Sequence, residues 1–116
     1  MLLRASGVIH DRSYDLNAVT GGTQDAGGVP HSGLLIRFAE AVLGEDEEEL
    51  ARARDALSEA ISPASLADAA GVVGLFNAID RVADATGIPL EAEKLEASAD
   101  FRAALDIDRF DVGARV

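Results

Sequence analysis

From Ser32 onward, apolar and polar residues alternate with a helical period. Leu34, Leu35, Phe38, Ala39, Val42 and Leu43 fall on one side of a 3.6-residue repeat, and Arg37 and Glu40 fall on the other. This apolar arc spans roughly half the circumference, more than a lone surface helix buries, and Gly44 ends it. A second helix starts at Asp46, which with Glu49 three residues on forms a capping-box pattern, while Glu47 and Glu48 occupy the first turn, where the helix dipole favours negative charge. Leu50, Ala53, Leu57, Ala60 and Ile61 follow as a narrow stripe, with Arg52, Arg54, Asp55 and Glu59 largely outside it. That pattern predicts a surface helix.

Ser62-Pro63 announces a third helix, a capping hydroxyl followed by proline at the first helical position. It is expected to run to about Thr86, where Gly87 supplies a left-handed residue and Pro89 blocks continuation. Ala67, Gly71, Gly74 and Ala78 form a stripe of small residues beside a face of Val72, Leu75, Phe76, Ile79, Val82 and Ala83. Each interior glycine costs about 1 kcal/mol relative to alanine, a cost normally offset by close approach of another helix. The third helix is therefore expected to be central and buried, within the monomer or at a subunit contact. Asn77, Asp80, Arg81 and Asp84 share one edge of it, with Arg81 in reach of Asp84 at i+3 and of Asn77 at i+4. We read this edge as an ion-paired stripe bordering a neighbouring element or a subunit seam. A fourth helix is expected from Glu91 to about Leu105, with Leu90, Ala97, Phe101 and Leu105 on one face, followed by a tail that packs through Phe110.

The first 31 residues differ in kind. Gly21 to Gly28 is a loop by composition, ending at Val29-Pro30, and Ser13 to Val19 is a candidate short helix closed by Gly21. The glycines do not make a phosphate-binding loop, which needs a preceding strand and a following Lys-Ser/Thr. The expected layout is an irregular segment over 1–31, a helical domain over 32–108 and a tail over 109–116. The whole is all-α, a small bundle of about four helices.

Composition narrows the chemistry. Apolar residues make up 48% of the chain, but much of that share is alanine, and Tyr14, Phe38, Phe76, Phe101 and Phe110 are the aromatic residues. Large side chains carry most of the free energy of burial, roughly 1.5–3 kcal/mol each, so the core is modest and a partner subunit is expected to extend it. The net charge of −11, with arginines scattered singly, argues against nucleic acid and anionic membrane surfaces as partners. No apolar run reaches the roughly 18–20 residues of a membrane span, and the start lacks a signal peptide's apolar region, so a cytoplasmic location is expected. There is no cysteine, which excludes disulfides, Cys–Zn sites and thiol catalysis.

Consecutive carboxylates from Glu45 to Glu49 diverge at a helix start and serve a cap better than a metal. No H-x-x-x-H or E-x-x-H spacing supports a metal site, and no cofactor is implied. His10, beside Asp11 and Arg12, and His31, just before a helix start, are the candidate general bases.

The run Phe76-Asn77-Ala78-Ile79-Asp80-Arg81-Val82-Ala83-Asp84-Ala85-Thr86-Gly87-Ile88-Pro89-Leu90 resembles the second half of the alkylhydroperoxidase-D-like, or carboxymuconolactone decarboxylase-like, proteins. In that family a long helix carries a Phe-Asn pair, an Asn-Arg and an Ala-Asp before a Gly-x-Pro-Leu exit. Leu34-Leu35-Ile36-Arg37-Phe38-Ala39-Glu40 is similar to the helix that precedes it, and the likeness covers roughly residues 32–108. The resemblance implies an all-helical, usually oligomeric fold. It carries over structural or interface positions only: Phe38, Phe76, Asn77, Arg81, Asp84, Gly87 and Pro89, to which Gly71, Gly74 and Asp80 add from the helix pattern. Asp80 stands where the family tends to have asparagine. The family's Cys-x-x-Cys pair and nearby histidine lie upstream of the matched region, and this chain has no cysteine to supply them.

Two functions follow as expectations. One is a non-catalytic oligomerising or accessory module, covered by a second copy of itself or by a chain supplying the Cys-x-x-Cys half of a split peroxidase. The other is a thiol-independent decarboxylase or lyase using His10 or His31.

Overall fold

The computed structural model describes residues 7–17 and 28–110, with Phe110 described by its backbone alone. The described residues are mostly helical and contain no strand, as the periodicity implies. Four α-helices follow one another: α1 over Ser32–Leu43, α2 over Glu47–Ala60, α3 over Pro63–Thr86 and α4 over Ala92–Ala104, with a 3-10 turn over Ile107–Phe110.

Their ends are set by local chemistry. The Asp46 carboxylate accepts from the backbone N–H groups of Glu48 and Glu49, both at 3.0 Å. The reciprocal half of the expected capping box does not form, because the Glu49 side chain bonds arginines instead. Ser62 Oγ accepts from Ser65 N–H at 3.1 Å ahead of Pro63, and α3 stops at Gly87, whose φ of 63° is left-handed. His31 precedes α1, also in a left-handed conformation, and its side chain makes no capping bond.

α1 and α2 pack against each other, and the start of α3 leans on both through Leu66 and Ala69. Among the described residues the buried apolar core is small: Phe38 and Ala41 from α1, Ala53 and Leu57 from α2. Leu57 is fully enclosed and Ala53 is 1% exposed, so the narrow stripe of α2 faces the core while Arg52, Arg54, Asp55 and Glu59 stay exposed, as the surface-helix pattern implies. Leu34, Leu35, Val42, Leu50, Ile61, Leu66 and Ala69 pack around this centre.

α3 is not central. It contributes no buried residue, and only Leu66 and Ala69, near its start, join the core. The expectation of a helix buried within the monomer fails, because at 24 residues and roughly 36 Å it outruns the shorter helices beneath it. α4 packs chiefly against the 3-10 turn, where Arg102 reaches Asp108 at 2.6 Å.

In the N-terminal segment, residues 7–9 form one helical turn and Arg12 N–H donates to Gly7 O at 2.8 Å. Residues 12–15 are not helical, so the expected helix from Ser13 fails over its first three residues; Leu16 and Asn17 form a 3-10 turn. The loop over Gly21–Gly27 and the first six residues lie outside the described part, as does the side chain of Phe110.

Candidate functional site

Two arrangements stand out above the core, one polar and one apolar. The first is an ionic network joining α1 to α2. Arg37 Nε donates to Glu49 Oε1 at 2.6 Å, and Arg52 Nε donates to Glu49 Oε2 at 3.0 Å. The Arg37 hydrogen bond, followed by that from Arg52, holds the Glu49 carboxyl down at about 2. Nothing in the local sequence signals this, since Arg37 and Glu49 are twelve residues apart and meet only when the helices fold together. A shallow cavity of about 210 Å³ lies alongside, lined by Arg37, Glu40, Glu45, Asp46 and Glu49 among others. Its Glu49 carboxylate is already taken by two guanidinium groups, and neither histidine lines it. His10 and His31 are both exposed, on the N-terminal turn and at the foot of α1.

The second arrangement is the outer surface of α3. Val72, Leu75, Phe76, Ile79 and Val82 are each more than half exposed, with Leu75 at 58% and Val82 at 59%. The half-buried positions Leu66, Ala69, Val73 and Asn77 follow each other at helical spacing and mark the side turned to the rest of the chain. Along that side the helix changes character: apolar at Leu66, Ala69 and Val73, then polar at Asn77, Asp80 and Asp84. The opposite side stays apolar almost throughout. A β-carbon added at Gly71 or Gly74 meets nothing within 4 Å, so among the described residues no helix approaches the small-residue stripe.

The predicted structural positions separate accordingly. Phe38 lies in the core, Gly87 and Pro89 form the exit from α3, and Phe76, Gly71 and Gly74 face outward. Arg81 Nε donates to Asn77 Oδ1 at 3.1 Å, as the i+4 spacing suggests. Among the described residues no ion pair joins Arg81 to Asp84, and Asp80 and Asp84 are exposed. The polar edge is a helix-surface hydrogen bond flanked by solvated carboxylates.

No family model matches the chain, and comparison with curated proteins and with solved structures finds no match. Among the described residues no helix is long and apolar enough to cross a membrane, and no group of three or more carboxylates or histidines is arranged to hold a metal.

Proposed function

We propose that this chain is a non-catalytic helical module that assembles with copies of itself through the outer face of α3, and that it derives from the alkylhydroperoxidase-D-like group whose second half its sequence resembles. The observation that carries this reading is the exposure of Val72, Leu75, Phe76, Ile79 and Val82 on one helix. Scattered apolar residues are ordinary on a surface, but a contiguous apolar face marks an interaction site. A helix about 36 Å long and 10 Å across, laid on its copy, removes on the order of 500 Å² from each. Together that reaches the roughly 1,000 Å² of a specific contact.

The small core supports the same conclusion, because large apolar side chains are left outside it. A catalytic reading has no comparable support, since the exposed histidines sit apart from the cavity.

Sedimentation velocity on the purified chain at micromolar concentration tests the proposal. A dimer or larger assembly is expected, and Leu75→Glu is expected to dissolve it. A folded wild-type monomer at that concentration overturns it.

A further inference from the structure

The outer face of α3 contains a seam with a regular alternation of size. Ala64, Gly71, Ala78 and Ala85 recur every seven residues, and Asp68, Leu75 and Val82 recur between them at the same interval. Together these positions advance by four and three residues in turn, the spacing that keeps one line of a helix facing a neighbour. All seven are exposed. The small residues hold one set of seam positions and the larger ones hold the other.

Such a seam is its own complement in one direction only. In a parallel pair each seam position meets its own copy, so layers alternate between small against small, leaving voids, and large against large. In an antiparallel pair the order reverses, and each small position meets a large one. We propose that α3 pairs with α3 of a second copy antiparallel about a two-fold axis beside Leu75 and Ala78. Gly71 then packs on the partner's Val82, and Leu75 packs on the partner's Ala78. The inference rests on self-assembly through α3 and adds its direction and register; of the exposed apolar residues it places Leu75 and Val82 in the contact, Val72 and Ile79 at its border and Phe76 outside it.

Charge favours the same arrangement. Asp68 has no ion pair among the described residues, and parallel pairing sets it directly against its copy. In the antiparallel register the two Asp68 residues lie at opposite ends of the contact, each beside the partner's Ala85. The arrangement also brings the electropositive start of each helix alongside the electronegative end of the other.

The absence of cysteine gives a clean test by disulfide trapping. Asp68→Cys and Ala85→Cys both alter exposed positions, and a disulfide forms only when the two Cα atoms come within about 7 Å. Neither variant alone is expected to cross-link under mild oxidation, because each introduced thiol lies roughly 25 Å along the axis from its copy. Mixed in equal amounts, the two variants are expected to form a disulfide between position 68 of one chain and position 85 of the other. It should join up to about half of the chains, the share of mixed dimers. Cross-linking of each variant with itself overturns the antiparallel direction, and dimers without any disulfide overturn the register. Sedimentation of the same samples as monomers instead removes self-assembly itself.

Discussion

Arg37 on α1 holds Glu49 on α2 at 2.6 Å, across the turn formed by Gly44, Glu45 and Asp46. Glu49 also receives Arg52 from its own helix, so one carboxylate ties the α1–α2 pair above the core. Both partners of the inter-helix pair are partly exposed, which makes the link a positioning device more than a source of stability.

Its pH dependence follows from the direction of the shift. The Glu49 carboxyl falls from 4.5 to about 2 in the fold. The unfolded chain therefore takes up this proton at higher pH than the folded one, and protonation favours unfolding. The contribution is present above about 4.5 and is lost as pH falls through that value toward 2. Thermal melts of wild type and Glu49→Gln are expected to differ at pH 7 and to converge across this window. A difference that stays constant down to pH 2 contradicts the role given to Glu49.

Leu57→Ala removes the large side chain that is fully enclosed at the centre of the core. Such a truncation costs about 2–5 kcal/mol, a large part of the roughly 5–15 kcal/mol that holds an ordinary domain together. Urea denaturation followed by circular dichroism should show loss of most of the folding transition. Leu43→Ala, on a residue 56% exposed, is expected to change stability by no more than about 0.5 kcal/mol.

The helix boundaries are legible in the sequence because they are local. Asp46, Ser62-Pro63 and Gly87 act within four residues of themselves, and each does in the structure what its position implies. Periodicity also finds the correct stripe on α2. It does not reveal which apolar arc meets which, since a helix that is apolar on two sides looks the same whether both, one or neither is covered by its own chain. Hence the pattern places α3 inside the monomer or at a subunit contact, whereas among the described residues its length lies outside the core. The Arg37–Glu49 link is invisible for a related reason: local spacing assigns Glu49 to its own helix cap, and only the folded pair offers it a better partner.

The Asp46 cap is expected to contribute about 1 kcal/mol through its two backbone N–H bonds. Asp46→Ala should lower the urea midpoint by the corresponding amount, and Asp46→Asn should restore most of it. Equal losses in both variants would place the effect in the 4.0 Å approach of Arg52 instead.

Gly71 separates the helix from the assembly. With nothing within 4 Å of its β-position, Gly71→Ala should stabilise α3 in an isolated chain by about 1 kcal/mol. In the proposed α3–α3 pair the added methyl enters a filled layer, where overpacking costs about 1–3 kcal/mol. Sedimentation equilibrium should therefore show the dimer dissociation constant raised at least about fivefold. An unchanged or tighter dimer contradicts a close α3–α3 contact at this residue.

So small a buried apolar core also bears on how much protein a cell must make. If, as proposed, the second half of a hydrophobic interior comes from another copy, folding is a two-body event, and each tenfold dilution removes about 1.4 kcal/mol of stability. Scarce chains then spend their time open to proteases, and abundant ones shelter one another. Expression level thereby becomes a determinant of the protein's lifetime.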